Sequence, residues 1–398
     1  MKRAYDVVVI GGGIIGLSSA YYLTKTGKRV LLIEKNEIGS GASGACDDMI
    51  LLQSKKPGIS LALAMESLEM YRSLSKELNL DLEFESRGGM ILIETQQQLE
   101  VMEAFVAQQR KSGLEVEVID RKAVVKKQPY VKDTVIASTY SSKDAQVNPL
   151  KVMRGFLGKG ISNGLQVIRR STITSIDQKK DYWKISLDDG MQVEAEYVIN
   201  AAGAWAAEIG TMIDLEIPVK PKKGQIVVTE QIPQVGQANV WSAAYIASKL
   251  KPEMIDNIHD EYRKMGIGFA FTQATDGNYL IGSTREDVGF DKGTTFKAIN
   301  MMIKQAVDFF PVLKNVHMIR CFSGLRPATA DGKPIIGEVP HKKGFYIAAG
   351  HEGDGIALAP ITGKVIAEMI EQKESHVDLR ELNLKRFRQE MEVSRKLV

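Results

Sequence analysis

The sequence predicts an α/β fold (α+β) in which a nucleotide-binding domain is built from separate segments and is interrupted by a sheet-rich domain. Three observations support this prediction. The N-terminus has strand–turn–helix–strand order, the middle third at about 218–310 is richer in strand and turn signals, and strand–helix order returns in the last third. Strands that alternate with helices are typical of parallel sheets, whereas short strands separated by turns are typical of antiparallel ones.

The first forty residues follow a βαβ pattern. The β-branched run Tyr5–Ile10 predicts a buried parallel strand, and the amphipathic segment Leu17–Thr26 predicts a helix closed by Gly27. A second strand, Arg29–Ile33, follows and ends at an acidic residue, Glu34. This order is typical of the Rossmann-like unit that binds a dinucleotide.

A G-x-G-x-x-G motif connects the first strand to the helix. Gly11 permits the tight turn, Gly13 lets a pyrophosphate approach the backbone, and Gly16 lets the helix pack close to the strand. Glu34 is placed to accept hydrogen bonds from a ribose. A glycine-rich turn without a ligand is the alternative, but the complete βαβ context predicts a dinucleotide site. The small-residue loop Gly39–Gly44 offers further backbone N–H groups to a phosphate or a ring.

Composition excludes several classes of function. The 398-residue chain is 44% hydrophobic and 25% charged, and its formal net charge of +3 without a basic block argues against nucleic acid as a partner. No charge-free apolar run of about 18 residues predicts a membrane span. Cys46 and Cys321 form no C-x-x-C motif, so thiolate zinc sites and iron–sulfur clusters are not expected on this chain. We expect no bound metal and a reducing, cytoplasmic location.

Periodicity and capping signals place the remaining elements. We predict helices at Ile59–Leu78, Gln96–Ser112, Pro149 to about Ser162, Lys297–Phe309 and Ile361–Glu371, and a charged helical tail from Val377. We predict strands at Gly88–Glu94, Leu165–Arg169, Ile173–Asp177 and Tyr197–Ala202, and within K-G-Q-I-V-V-T, G-N-Y-L-I-G-S-T and K-G-F-Y-I-A-A-G. The predicted nucleotide-binding domain comprises 1–80, 145–217 and 320–372, the substrate-binding domain 81–144 and 218–319, and the tail 373–398.

Several spaced motifs together resemble one family. They are V-V-V-I-G-G-G-I-I-G, E-K at 34–35, G-A-S-G, V-I-N-A-A-G-A-W at 198–205, G-L-R-P-A-T-A-D-G-K-P-I-I-G at 324–337 and G-H-E-G-D-G-I-A-L-A-P at 350–360. Over nearly its whole length the chain resembles the D-amino-acid-oxidase-like, FAD-dependent amine oxidoreductases, which include glycine oxidase and sarcosine oxidase. The last motif is similar to the flavin subunits of hetero-oligomeric cyanide synthase, opine oxidase and dye-linked proline or hydroxyproline dehydrogenases.

The resemblance implies an FAD-binding domain that holds FAD in extended, non-covalent form, with the sheet-rich domain binding the substrate. Some relatives attach the flavin through a cysteine near the start of G-L-R-P, but Cys321 lies three residues before Gly324. The residues expected to contact the cofactor are Gly11, Gly13, Ile14, Gly16, Glu34, Lys35, Ser43, Gly44, Ile173, Ala202, Gly203, Trp205, Gly350, Gly353, Asp354, Gly355 and Ile356.

The stretch Gly350–Pro360 has two interpretations. His351, Glu352 and Asp354 suggest side-chain catalysis or a metal site, but these groups are too close in sequence to converge on a metal without distant ligands. The glycines favour a backbone loop against the flavin, followed by a helix after Gly355 whose N-terminus faces the pyrimidine edge. Pro360 argues against regular first turns of that helix.

The resemblance also implies a substrate site. Arg326 matches the arginine that clamps a substrate carboxylate, a role that suits a planar guanidinium; a structural arginine that neutralises Asp331 is the alternative. His351 would lie beside the flavin and tune it or touch the substrate. Glycine oxidase carries a second arginine where this chain has Gly353, so we expect a different substrate orientation or another group in its place.

Four further residues are candidates for the neighbourhood of the substrate. Met49 would lie near the flavin ring by its position, with core packing as the alternative. Asp47, Asp48 and Tyr245 are candidates for contact with a substrate ammonium or hydroxyl, although each is also explained as an ordinary polar residue.

The implied activity is oxidation of the C–N bond of a small amino or imino acid of the proline, hydroxyproline, sarcosine, glycine or opine type. A hydride would pass to flavin N5 and leave an imine. We expect a dehydrogenase complex in which a partner subunit carries a further redox centre. The alternatives are a stand-alone oxygen-using oxidase, an FAD-dependent dehydrogenase of a 2-hydroxy acid or glycerol 3-phosphate, and a non-catalytic FAD-binding scaffold.

Overall fold

Two eight-stranded sheets organise the structure, a computed structural model that describes residues 3–244, 246, 260–373 and 377–387. Its helices are α1 (Ile14–Lys25), α2 (Ile59–Leu78), α3 (Gln96–Lys111), α4 (Arg121–Lys127), α5 (Pro149–Ser162), α6 (Ala206–Thr211), α7 (Asp260–Lys264), α8 (Phe296–Phe309) and α9 (Gly355–Ile370). Its strands are β1 (Arg3–Ile10), β2 (Val30–Glu34), β3 (Met49–Ile50), β4 (Gly89–Ile93), β5 (Glu117–Asp120), β6 (Ala137–Ser141), β7 (Ala145–Gln146), β8 (Gln166–Arg169), β9 (Ile173–Gln178), β10 (Trp183–Leu187), β11 (Gln192–Asn200), β12 (Lys220–Gln231), β13 (Asn239–Ser242), β14 (Ala270–Gln273), β15 (Asn278–Gly282), β16 (Met318–Ala328), β17 (Ile335–Glu338) and β18 (Phe345–Ala349).

The first sheet has a parallel centre. Strands β18, β11, β1, β2 and β8 are parallel neighbours in that order, the antiparallel β17 extends one edge, and β9 and β10 join through β11. Both faces of this centre are covered, because Val7 and Val9 of β1 pack into one hydrophobic cluster and Val8 packs into another. Burial on both faces explains the unbroken apolar run that predicted this strand.

Small residues bring α1 and α9 together against this sheet. Ser18 Oγ donates a 2.7 Å hydrogen bond to the carbonyl of Ala359, and a Cβ at Gly363 would overlap Ser18. Helix α1 begins at Ile14, earlier than predicted, because the end of the glycine motif forms its first turn. A Cβ at Gly16 would overlap the Gly11 carbonyl oxygen, so glycine is required there.

The second sheet is mostly antiparallel, in the order β16–β12–β15–β14–β13–β4–β6–β5, with β13 and β4 parallel. Helix α8 packs on it through Met302 and Phe309, whose ring stacks on Phe269 with centroids 4.6 Å apart. The domain boundaries stay a prediction, but β16 departs from them. This strand pairs with β12 in antiparallel fashion, with Ala328 opposite Lys220 and Arg320 opposite Val228. Residues 320–328, predicted for the nucleotide-binding domain, therefore lie in the second sheet.

The described part of the predicted tail is not a regular helix and is partly buried. Residues 377–387 include the short 3-10 helices Leu379–Leu382 and Leu384–Phe387. Leu382 and Phe387 bury against the clusters that cover the first sheet, and the expectation of a regular helix is wrong for this segment. Residues 388–398 lie outside the described residues. The helices that are described include none with the length and hydrophobicity needed to cross a bilayer.

Candidate functional site

A cavity opens where the carboxyl ends of the first sheet's strands meet the second sheet. Its wall includes Gly11 after β1, Glu34 at the end of β2 and Ala202 after β11. The second sheet contributes Ala270 of β14 and Arg326 of β16. Open α/β sheets bind ligands outside the carboxyl ends of their strands, so this cavity is the candidate site.

The glycine turn forms one part of the wall. Gly11 has a φ of 109°, and a Cβ there would lie 2.5 Å from the carbonyl oxygen of Ala201, so only glycine fits. Ser43 Oγ accepts a 3.0 Å hydrogen bond from the N–H of Ile14, which fixes the second small-residue loop against the start of α1. Gly13, Ile14 and Ser43 all line the cavity. Because Gly11 and Gly13 have no side chains, an anion can approach this backbone and the start of α1 closely.

The acid at the tip of β2 is held by the backbone. Glu34 Oε2 accepts a 2.7 Å hydrogen bond from the N–H of Gly12, and Oε1 accepts a 2.8 Å bond from the N–H of Asn36. Lys35 Nζ lies 4.4 Å from the centroid of the Trp205 ring. Glu34, Lys35 and Trp205 line the cavity together. An anchored carboxylate beside an indole suits a ribose and its neighbouring groups.

The start of α9 forms another part of the wall, where Gly355 and Ile356 line the cavity. The first N–H groups of a helix have no intrahelical acceptor, and the helix dipole adds partial positive charge. Pro360 does not interrupt this helix, which runs unbroken from Gly355 to Ile370. The Tyr71 hydroxyl donates a 2.6 Å hydrogen bond to the Ile356 carbonyl, the acceptor that a proline at 360 leaves without its helical donor.

His351 lines the cavity but is almost completely buried, with 2% of its surface exposed. Its Nε2 lies 3.0 Å from Thr362 Oγ1 in α9. Burial lowers the pKa of His351 to about 4, and the negative charge of Asp354 only partly opposes this. The imidazole is therefore neutral at pH 7, which disfavours a role as a resident cation.

Two ion pairs in the cavity wall are not indicated by the sequence. Lys55, whose side chain is 4% exposed, places Nζ 2.6 Å from Asp354 Oδ1, and Arg285 pairs with Glu352. All four residues line the cavity. Partners so far apart in sequence leave no periodic signal, which explains why sequence reasoning missed Lys55 and Arg285.

Arg326 enters the cavity from β16. Its Nη1 donates to the Thr284 carbonyl at 2.9 Å and its Nη2 donates to Ser283 Oγ at 2.7 Å, so its guanidinium is held in one orientation. The alternative that Arg326 neutralises Asp331 is wrong, because Asp331 pairs with Arg386, whose Nε lies 2.7 Å from Asp331 Oδ2. The second sheet therefore presents Arg326 to the cavity.

The other predicted residues fall into three groups. Lining the cavity are Asp47, Met49, Ile173, Gly203, Gly353 and Asp354. Gly16, Gly44, Asp48 and Gly350 do not belong to the lining; a Cβ at Gly44 would overlap the Gly39 carbonyl oxygen, and Gly350 has a φ of 81°. Tyr245 lies outside the described residues. The described residues also hold no cluster of three or more His, Cys, Asp or Glu side chains suited to a metal.

The cavity fits an extended dinucleotide. Glycine backbone, a helix N-terminus and an anchored carboxylate stand near the first strands, and a second helix N-terminus with Gly353 stands at α9. Ile173 of β9 also lines the wall. The wall thus offers backbone and a helix N-terminus to phosphates, a carboxylate to a ribose, and a glycine-lined surface to an aromatic ring.

Comparisons with known proteins agree with this geometry. A family model described as FAD dependent oxidoreductase matches residues 6–369. The hydrogen cyanide synthase subunit HcnC of Pseudomonas aeruginosa is 28% identical, with 98% of each chain covered. The glycine oxidase of Geobacillus kaustophilus is also 28% identical, over 97% of this chain and 98% of its own.

Solved structures share the whole architecture. The crystal structure of the glycine oxidase from Geobacillus kaustophilus has a TM-score of 0.87 at 26% identity and covers 96% of this chain and 99% of that chain. The crystal structure of L-proline dehydrogenase from P. horikoshii shares the fold, with a TM-score of 0.86 at 24% identity over 98% of this chain and 99% of that chain.

Proposed function

Because the chain belongs to the FAD dependent oxidoreductase family, we propose that it oxidises the C–N bond of a small amino or imino acid to an imine. It is an oxidoreductase and its cofactor is FAD. Bound FAD supplies the hydride acceptor, while the chain binds and orients the substrate. The substrate classes we consider are proline, hydroxyproline, sarcosine, glycine and opines.

The observation that carries this proposal is the fixed guanidinium of Arg326 in the cavity. Two hydrogen bonds from Arg326 to Thr284 and Ser283 hold the group in place before a substrate arrives. A guanidinium binds a carboxylate through parallel hydrogen bonds, which fixes the adjacent α-carbon. A Cβ at Gly353 would lie 3.8 Å from Arg326 Nε, at ordinary contact distance, so Gly353 lies directly beside this side chain.

We propose that the residues expected from the sequence to contact FAD do so. Gly11, Gly13, Gly16, Ile14, Ser43 and Gly44 would shape the pyrophosphate site, Glu34, Lys35, Trp205 and Ile173 the adenosine site, and Ala202, Gly203 and Gly350 to Ile356 the flavin site. We propose that FAD is bound to the chain non-covalently. Cys321 is absent from the described lining of the cavity, and its Sγ lies 3.6 Å from Thr294 Oγ1.

Positive charge at the start of α9 supports reduction of the cofactor. A helix N-terminus stabilises negative charge, so the start of α9 would favour the negative charge of a reduced flavin bound there. Lys55, paired with Asp354 at this point, keeps the Asp354 carboxylate from opposing that effect. The neutral, buried His351 positions the loop through Thr362 rather than supplying a charge.

We propose that electrons leave through a partner subunit. The chain is similar along its whole length to a protein named as a subunit of hydrogen cyanide synthase. Its two cysteines do not suffice for an iron–sulfur cluster, so a cluster would belong to the partner. Both cysteines are unpaired, which suits the cytoplasm. A stand-alone oxidase is the competing assignment, since a glycine oxidase is equally similar.

An anaerobic screen of flavin reduction tests the proposal. Proline, hydroxyproline, sarcosine, glycine and opines are mixed with the holoenzyme, and at least one is expected to bleach the visible flavin band. Bleaching by 2-hydroxyglutarate or glycerol 3-phosphate alone would contradict it. Steady-state rates with oxygen and with an artificial dye then separate the acceptors, and brisk peroxide formation would overturn the partner model.

A further inference from the structure

Asp47, an acidic residue of the cavity wall, has no ion pair among the residues that the structure describes. Lys55 pairs with Asp354 and Arg285 pairs with Glu352, but Asp47 pairs with no described cation. Asp47 Oδ1 accepts only a 3.3 Å hydrogen bond from the N–H of Met49. A carboxylate in a cavity wall without a cation is costly unless a ligand compensates its charge.

Asp47 and Arg326 reach the cavity from two backbones that pack directly on each other. A Cβ at Gly324 of β16 would lie 2.6 Å from the carbonyl oxygen of Ala45, so the two segments are in contact. Residues two apart in a strand share a face, which places Arg326 on the same face as Gly324. Asp47 is two residues beyond Ala45. A carboxylate and a guanidinium therefore line the same region of the cavity.

We propose that Asp47 and Arg326 form a dipolar site that binds the ammonium and the carboxylate of one zwitterionic amino or imino acid. This inference rests on the proposed function and names its substrate class. Simple amines lack the carboxylate for Arg326, and 2-hydroxy acids lack the ammonium for Asp47. As the substrate becomes the neutral amine, one proton passes from its nitrogen to an Asp47 carboxylate oxygen; no electrons move in this step.

The surroundings of Asp47 predict a pH signature. Burial is the largest influence and raises the Asp47 pKa, and the charges of Arg326 and Lys55 partly oppose it. The titratable and charged groups around it are Cys46 and Asp48 on its own segment, Lys55 after β3, Arg326 on β16 and Asp354 at the start of α9. Because an ammonium needs the ionised carboxylate, affinity for a zwitterion falls as the pH drops through this raised pKa. Affinity for a plain carboxylate has no such dependence on Asp47.

Glycine and acetate differ only in the ammonium group and provide the test. Their dissociation constants for the holoenzyme are measured anaerobically from flavin absorbance, or from the concentration dependence of reduction where glycine reduces the flavin. Asp47→Asn is expected to weaken glycine binding by about 10- to 100-fold, the effect of one hydrogen bond to a charged group. Acetate binding is expected to stay equal or tighten, and Asp47→Glu should recover part of the glycine affinity.

The neighbouring carboxyl provides the control. Asp48 lies outside the cavity lining, and burial together with the charge of Asp47 raises its pKa to about 7. Asp48→Asn should keep both the preference for glycine over acetate and the loss of glycine affinity at low pH, whereas Asp47→Asn should abolish that pH dependence. Equal losses for glycine and acetate in Asp47→Asn, or no loss of glycine affinity, would overturn the dipolar site. A wild-type flavin that no amino acid of the screen reduces would instead contradict the proposed function.

Discussion

The hydroxyl of Tyr71 donates a 2.6 Å hydrogen bond to the carbonyl of Ile356, one turn before Pro360 in the helix that enters the cavity. Tyr71 is fully buried in the core beneath α9. Pro360 has no N–H, so the Ile356 carbonyl would otherwise be a buried acceptor without a donor. A side chain of α2 thus completes the first turns of α9 and holds its N-terminus on the cavity wall.

Tyr71→Phe is expected to destabilise the fold by about 1–3 kcal/mol, the cost of leaving a buried acceptor unsatisfied. Urea denaturation measures this cost. A double-mutant cycle isolates the cause, since Pro360→Ala restores an N–H donor to Ile356 and should make Tyr71→Phe nearly neutral. An unchanged cost in the Pro360→Ala background would show that Tyr71 acts through something else.

Substitution at Gly355 should disturb cofactor binding more than substitution at His351. A Cβ at Gly355 would meet only the His351 Cβ, at 3.7 Å, so Gly355→Ala is expected to be tolerated, whereas a bulky Gly355→Phe would fill the cavity. We expect Gly355→Phe to weaken FAD binding at least about tenfold, which is about 1.4 kcal/mol. Flavin fluorescence titration of the apoprotein measures it. Loss of FAD binding in His351→Ala alone would contradict the backbone interpretation of this loop.

The buried His351 should make stability depend on pH. Burial lowers the His351 pKa to about 4 in the folded chain. In the unfolded chain this histidine binds a proton below about pH 6.5, whereas in the folded chain it stays neutral down to about pH 4. Stability from this group is therefore complete above pH 6.5 and is lost as the pH falls to 4, by up to about 3 kcal/mol.

Buried carboxyls with raised pKa values, such as Asp48, act in the opposite direction, so the comparison must be made between variants. Denaturation midpoints of wild type and His351→Asn at pH 7 and pH 4.5 give the difference. A parallel pH dependence of the two proteins would show that His351 is not the group responsible.

Lys55→Met should make the bound flavin harder to reduce. The substitution leaves the Asp354 carboxylate without its 2.6 Å partner at the start of α9, where negative charge on the reduced cofactor is otherwise favoured. We expect the two-electron potential to fall by about 30 mV, equivalent to about 1.4 kcal/mol. Lys55→Arg retains the charge and is the matched control. An unchanged potential in Lys55→Met would show that Lys55 does not influence flavin reduction.

Local signals predicted most of the first sheet and its glycine turn. Val7 to Val9 form an unbroken apolar run because both sides of β1 are buried, and Gly11 stands where a left-handed backbone meets Ala201. Helix α2 was predicted at Ile59–Leu78, where the structure has it, because its apolar residues recur with helical spacing.

Features that depend on contacts between distant segments were not predictable. Pro360 suggested a broken helix because the donor that compensates it, Tyr71, is 285 residues from Ile356 in sequence. The pairs of Lys55 with Asp354 and of Arg285 with Glu352 likewise join segments that only the folded chain brings together. The apolar residues of the segment 377–387 pack against distant parts of the chain, so their burial was not visible in the local sequence.

The most direct test of the central claim is anaerobic flavin reduction in wild type and Arg326→Met. At least one amino or imino acid of the screen is expected to reduce the wild-type flavin, and the corresponding amine without a carboxylate is expected not to reduce it. Arg326→Met should lower the apparent second-order rate constant about 100-fold or more, since it removes a bidentate charged contact, about 3 kcal/mol. Reduction by the amine at an equal rate, or an Arg326→Met variant as fast as wild type, would contradict the account.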